Sequence, residues 1–483
     1  MERVTKMWSV KARYDTLRVA IVEPGGLERW WAIPGYGEYP LEWGAVDKPY
    51  HTHSTKRESE LQRRDLKNKM QKAVEDEIPG VRLLGYRDLL QETLDAWRDD
   101  PNRLEEIVLT CFHEWDRPRI KNLLGEDYKS VTADQLLGRD RPPLHKDGDD
   151  WKVGIRPIPW VQNISEEGWM TDKGLVYNNK KTWWRSREDE VTHAIIEHHP
   201  EMIENVEVLL DPEPPAYLEG GDMRAPSEDT IAAGVGWHTS REGMRRLSEA
   251  LPEKTIYAVQ KVPILKEGFN DMVYSFCWHF ETFHCEVDEG KGMFMPYIMD
   301  YPEGGRKKYI DWVKALKRDI EEYHPLLQKL REEEIDIPKE QKDRIKANAL
   351  QDLTDENIAL LEDMGKVYTY EGGELVSTRN SYLQALIDDG VMDPDGIIWY
   401  GGDPSQYENA LEHLGVIAME IAAQAEIAET LRPGVLLMSS HAEKTIESLE
   451  EHGCRAVTYD GFYQKKFGGP GQDCAFFPLH REN

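Results

Sequence analysis

At both ends of this chain, short apolar runs ending in Gly or Pro turns alternate with charged stretches of helical spacing. LRVAIVEPGG (17–26) is one such run, residues 57–77 carry apolar residues at helical spacing, and GVRLLGY (80–86) is the next run. A short apolar run bounded by turn residues is long enough for a buried strand but too short for a buried helix. Strands that alternate with helices build an α/β fold. The rhythm returns after PIP (157–159), in GLVYN (174–178), NVEVLL (205–210), TIAAGVG (230–236) and TIYAVQKV (255–262). Beyond residue 390 it continues as GIIWYGG, an Ala-rich helix expected over 410–431, GVLLMSS, a helix over 441–452 and CRAVTYDG.

Two stretches interrupt the rhythm. Residues 87–145 show helical periodicity broken by prolines and read as a helical insertion. Residues 303–365 are helical and dense in mixed charge, which fits a solvated helical hairpin laid on the main body, with an oligomerisation arm or a lid as the other use. The expected layout is an α/β body in three parts, 1–86, 146–302 and 381–483, interrupted by a helical insertion at 87–145 and a charged helical one at 303–380.

Composition excludes several functions. Asp and Glu number 90 against 60 Lys and Arg, a formal charge of −30. Such a surface repels phosphate backbones and anionic lipid, so neither a nucleic acid nor a membrane is expected as partner. No apolar run reaches the roughly 18 residues of a membrane span, since Gly415–Leu431 is broken by Glu420 and Glu426. The opening MERVTKMWSVKARYD has no apolar signal core, so a cytoplasmic location is expected. The five cysteines form no C-x-x-C pair, which argues against a disulfide framework or a structural zinc site and for reduced thiols.

Three places carry residues suited to chemistry. Cys474 follows a Gly-rich segment, Gly468–Gly471, where backbone N–H groups can approach a ligand; a thiol there is a candidate nucleophile, though taken alone it reads as a small core residue. YLEGGDMR (217–224) sets Glu219 and Asp222 around two glycines, as a cation site, an acid–base pair, a helix cap or an ordinary turn. SFCWHFETFH (275–284) reads as a strand in which His279 and Glu281, two apart, share a face and pair as acid and base, or else His279 is a satisfied half-buried residue. The histidines of HTH (51–53) and HAIIEHHP (193–200) lack a metal-ligand pattern.

In order along the chain, YLEGGD (217–222), WHFET (278–282) and GGPGQDCAFFPLHR (468–481) resemble the three signature blocks of arginine deiminase, LEGGD, HLDT and a terminal Gly-rich segment with C-x3-PL-x-R. LRVAIVEPGG, WRSREDE (184–190) and TSREGMRRL (239–247) also have counterparts in that family, as does a helical insertion near 87–145. The resemblance implies a five-module α/β propeller, the pentein fold, with helical insertions and a site in a central channel. It implies that Cys474 attacks the guanidinium carbon of a small-molecule substrate, that His279 protonates the leaving amine and then activates water, and that Glu219 orients His279. Carboxylates that fork onto a guanidinium hold it in place and balance its charge. The resemblance gives that role to Glu281 and Glu166, with Glu167 or Asp172 open as alternatives to Glu166, and counts Asp222 among the substrate-binding residues.

At both holding positions the family has Asp and this chain has Glu. The partners of the substrate's α-carboxylate depart further: Trp160 stands where the family has Asn, His238 where it has Arg, and Gly469 near the place of another Arg. Arg187 keeps one carboxylate-binding Arg, with Arg185 as its competitor. Hydrolysis of arginine to citrulline and ammonia is the leading expectation, an amidinotransferase the second, and a non-catalytic guanidino-binding protein the third. No metal or organic cofactor is implied, and a homo-oligomer is expected.

Overall fold

The structure, a computed structural model, describes residues 8–23, 65, 68–125, 128–140, 144–148, 150–155, 158, 164–181, 185–261, 279–299, 301, 304–322, 338–350, 353–422, 428–460 and 475–482. The apolar runs become the strands of five mixed sheets built to one plan, in which a first strand pairs antiparallel with a second and the second pairs parallel with a third. The sets are Gly168–Met170, Leu175–Tyr177 and Val208–Leu210; Met223–Ser227, Thr230–Val235 and Thr255–Gln260; His284–Asp288, Gly290–Phe294 and Met392–Trp399; and Glu429–Arg432, Val435–Ser439 and Arg455–Tyr459. The fifth sheet joins the two ends of the described chain, Phe476–Glu482 against Thr16–Val22 and then Arg82–Gly85. A parallel pair needs a crossover, and helices supply it. Ser186–His198 lies between the second and third strands of one sheet, Arg241–Ala250 and Glu443–Glu451 in two others, and helical residues 68–77 in the fifth. The fold class is therefore mixed α/β. Among the described residues no sheet closes on itself.

The helical stretch after residue 86 is present as Tyr86–Ala96, Pro101–Thr110, Arg117–Leu124 and Ala133–Leu136, followed by the hairpin Leu144–Asp147/Asp150–Val153. Asp100 caps the second of these helices by accepting from Asn102 N and Arg103 N, and Pro101 sits at its first turn, where no N–H is needed. Leu90, Leu94, Ile107 and Val108 share one core with Val191 and Ile195 of the 186–198 helix, so the insertion is packed onto the body.

The charged segment departs from expectation in its second half. Gly305–Glu322 is helical and buries Tyr309, Ile310, Val313 and Ile320 against the core of the third sheet, a laid-on helix with its charges outward. Each such buried side chain stabilises by roughly 1.5–3 kcal/mol. Lys339–Leu350 and Asp355–Leu360 are also helical, but Val367–Glu371 and Glu374–Arg379 form a hairpin instead of helix. Val367–Glu371 pairs antiparallel with Thr255–Gln260 and widens that sheet to five strands. Val367, Thr369 and Tyr370 are buried and Glu371 is exposed, as in a half-buried strand, so the expected helix of 303–380 is absent from 367 to 379. The Ala-rich helix likewise differs from expectation: Ala410–Ala422 is helix, whereas Glu429–Arg432 is a strand paired antiparallel with Val435–Ser439.

His413 on that helix gives a pH-dependent handle. Its Nε2–H donates to Tyr400 O at 3.2 Å, its Nδ1 accepts from the Tyr297 hydroxyl at 2.9 Å, and Tyr407 stacks on its ring at 4.3 Å. Burial pushes its pKa down from 6.5 to about 4. The unfolded chain protonates this ring near pH 6.5 while the folded one resists until about 4. Its stabilising contribution is therefore whole above about pH 6.5 and is lost as pH falls, in total about 3 kcal/mol. His413→Gln should show a smaller fall in Tm than the wild type between about pH 7 and pH 4.5. An equal fall would remove His413 from the acid response.

Candidate active site

One device recurs before the first strand of three sheets: a single 3-10 turn carrying acidic or basic side chains. Ile164–Glu167 precedes Gly168–Met170, Gly220–Asp222 precedes Met223–Ser227, and Phe280–Thr282 lies just before His284–Asp288. Glu219 and His279 are the extended residues that lead into the second and third turns. The turns touch because two glycines permit it. A Cβ on Gly220 would lie 2.0 Å from Ser165 O, and one on Gly221 would lie 2.5 Å from His279 Nδ1. The paired glycines of YLEGGD are there for close approach.

His279 does not lie on a strand, contrary to the alternation argument; it is extended at φ −113°, ψ 159°, and its carbonyl takes the Thr282 hydroxyl at 2.7 Å. The turn nonetheless keeps His279 and Glu281 together, Nδ1 to Oε1 3.7 Å. His279 Nε2 meets Glu219 Oε2 at 3.0 Å, and Nδ1 lies 3.4 Å from Glu166 Oε1. All four side chains are buried. Burial holds the His279 pKa well below 6.5, helped by the positive charges of Lys261, Arg185 and Arg224, so the ring rests neutral. Burial works against the charge of Glu219, but the neighbouring cations Arg185, Lys180 and Lys261 favour it and its pKa lies below the ordinary value. Burial pushes the Glu166 carboxyl up to about 7, despite Arg185 beside it.

The structure separates the alternatives at the first holding position by place. Glu166 faces His279. Glu167 is turned to the buried Lys180 at 2.9 Å, which also meets Asp189 at 2.7 Å, and Asp172 pairs with Lys254 at 2.8 Å. Glu281 lies 3.6 Å from Arg224. Asp222 points at neither histidine; it pairs with Lys261 and accepts from Phe280 N at 3.0 Å. Of the two arginines in WRSR, Arg185 enters the cluster. It pairs with Glu166, donates to Glu188 through Nη2 at 2.8 Å and comes within 3.9 Å of Glu219. Arg187 is instead turned into the helical layer, donating to the carbonyls of Cys111 and Leu136 with the Phe112 ring 4.4 Å away. His238 stands edge-on to His279, ring centres 4.7 Å apart, and burial keeps it neutral, its pKa well below 6.5.

Cys474, Gly469 and Trp160 lie outside the described residues. Ala475, next in the chain to Cys474, is buried, and the strand Phe476–Glu482 packs against the 164–167 turn. Three further cysteines, Cys111, Cys285 and Cys454, are buried thiols. Two donor sets, Glu219 with both histidines and Glu166 with His279 and Glu281, have ligand atoms within 4.8 Å of one another and could in geometry hold a metal ion. Lys261 and Lys180 are the functional side chains that sequence reasoning missed.

The arrangement is an uncharged histidine ringed by carboxylates, suited to a positively charged planar guest and to moving protons beside it. The family model "Arginine deiminase" matches residues 131–360. The arginine deiminase of Borrelia duttonii (strain Ly) is 27% identical over 192 residues, covering 37% of this chain and 46% of that protein. That of Staphylococcus aureus (strain JH9) is 26% identical over 257 residues, 51% of this chain and 60% of that one. The chain thus spans about half the length of these relatives. Among solved structures, an amidinotransferase of saxitoxin biosynthesis from Microseira wollei matches at TM-score 0.46 with 10% identity, over 99% of this chain and 98% of that one. The inosamine-phosphate amidinotransferase of Streptomyces griseus matches at 0.46 with 11% identity and the same coverage. The stretch that resembles the arginine deiminase model, residues 131–360, contains Glu166, Glu219, His279 and Glu281.

Proposed function

We propose that this chain hydrolyses the guanidino group of a small molecule through a covalent intermediate on Cys474, arginine to citrulline and ammonia being the family's form of that reaction. The observation that carries it is the buried Glu219–His279 pair with Glu166 and Glu281 on the ring's other nitrogen. A guanidinium is held by those carboxylates. Neutral His279 takes the thiol proton of Cys474, and the thiolate adds to the guanidinium carbon. The imidazolium then gives that proton to the departing nitrogen, and ammonia leaves as the C–N bond breaks. His279, neutral again, takes a proton from water as the oxygen adds to the same carbon. The C–S bond breaks, the oxygen gives its proton to solvent, where the released ammonia takes it up as ammonium, and the ureido product forms while thiolate and imidazolium share the proton taken from water. The five mixed sheets fit a ring of five modules around a channel with this site on its axis. A free thiol suits the reducing cytoplasm.

The test is the acid-quenched intact mass of the full chain with guanidino compounds, alongside ammonia release. An adduct of the whole substrate minus ammonia is expected. An adduct of the bare amidino group would make the protein an amidinotransferase, and absence of adduct and product with every guanidino compound would leave only binding. Turnover should survive EDTA, because the thiolate supplies the nucleophile; loss on chelation and recovery with a divalent ion would assign the two donor sets to a metal.

Holding a guanidinium needs Glu166 ionised, and its carboxyl titrates near 7. KM should therefore rise as pH falls through about 7. Initial rates across that range measure it, and a flat KM would place the holding carboxylate elsewhere.

A further inference from the structure

We propose that the substrate is a guanidinoalkyl amine, a guanidino compound whose far end carries an amine and no carboxylate; this rests on the guanidino chemistry proposed above. An α-amino acid substrate needs a cation for its carboxylate. The described side chains that the sequence offers for this are committed otherwise. Arg185 is spent on Glu166 and Glu188, both buried with it. Arg187 is turned away onto the carbonyls of Cys111 and Leu136. His238 is 3% exposed and packed edge-on against His279.

The balance of charge around His279 points the same way. Glu166, Glu167, Glu188, Asp189, Glu219, Asp222 and Glu281 are buried there against Lys180, Arg185, Arg224 and Lys261, seven carboxylates to four cations. The buried Oε1 of Glu219 has no hydrogen-bond partner among the described residues. A buried carboxylate oxygen in that condition takes a donor that brings positive charge. One guanidinium neutralises part of this surplus and a second cation more of it, whereas a carboxylate carried in beside them adds a like charge where water cannot screen it.

Arginine and 4-aminobutylguanidine differ only by the carboxylate, and butylguanidine lacks both end groups. The measurement is kcat/KM of the full-length protein for the three. The amine is expected to exceed arginine by about 100-fold or more and butylguanidine by about tenfold or more. Arginine within tenfold of the amine, or better, overturns the inference and leaves the guanidino chemistry standing. Butylguanidine equal to the amine overturns the recognition of a second cation. No adduct or product from any of the three overturns the reaction itself.

Discussion

Alanine in place of Cys474 is expected to lower turnover by at least about 10⁴-fold, and His279→Ala added to it to cost little more. Groups that work as one unit show this non-additivity, because once either is gone the other has no step to perform. The thiol gives its proton to the imidazole, and the imidazole passes that same proton to the leaving nitrogen. Single-turnover rates for the two single variants and the double variant measure it. A double variant a further 10²-fold or more slower than Cys474→Ala, roughly the ordinary worth of an independent acid–base group, would mean that the two act separately. Removing the imidazole leaves Glu166, Glu219 and Glu281 facing one another across a cavity, so His279→Ala should also lower Tm. His279→Gln fills most of that space with a neutral side chain. It should keep the Tm while losing the rate, which separates the chemical loss from the structural one.

Most strands were legible because burial on both faces writes a strand as an unbroken apolar run. TIAAGV and VLLMS are buried along their whole length, and each was read from that run alone. The hairpin at 367–379 was not legible for the opposite reason. Five of the six residues of Glu374–Arg379 are exposed, so the strand exists through backbone pairing with its neighbour and leaves no apolar pattern. The Ala-rich stretch after 410 failed differently, since Ala428 and Leu431 continue the apolar composition past the helix end. At the site, the two glycines of YLEGGD marked a close approach, but not what approaches; the answer, the His279 ring, lies some sixty residues on. The split between Arg185 and Arg187 could not be read either. Both stand at the start of one helix, and which of them enters the cluster depends on the carbonyls that the helical insertion presents.

Lys261 shows what a closer reading could have found. In YAVQKV a lysine ends an otherwise apolar strand, and a charge in that setting is either at the surface or paired. It is buried at 2% exposure and pairs with Asp222, 39 residues earlier in the chain. Asp222 in turn accepts the N–H of Phe280, beside His279, so the lysine positions the histidine's turn through Asp222. Lys261→Met should cost roughly 3–5 kcal/mol of stability, since it leaves a buried carboxylate without its cation. Loosening the turn should lower kcat by about 10- to 100-fold. After burial, Lys261 is the foremost charge holding the His279 pKa down, so its loss raises that pKa and moves to higher pH the acid limb of kcat, which reports the substrate-bound enzyme with Glu166 already ionised. A filler of space would not move that limb. Asp222→Asn in the same chain removes the unpaired charge and keeps an acceptor for Phe280 N–H. The double variant should regain most of the lost stability and much of kcat, while its acid limb stays displaced. A limb that returns to its wild-type position in the double variant, or never moves in the single one, would reduce Lys261 to a structural partner of Asp222.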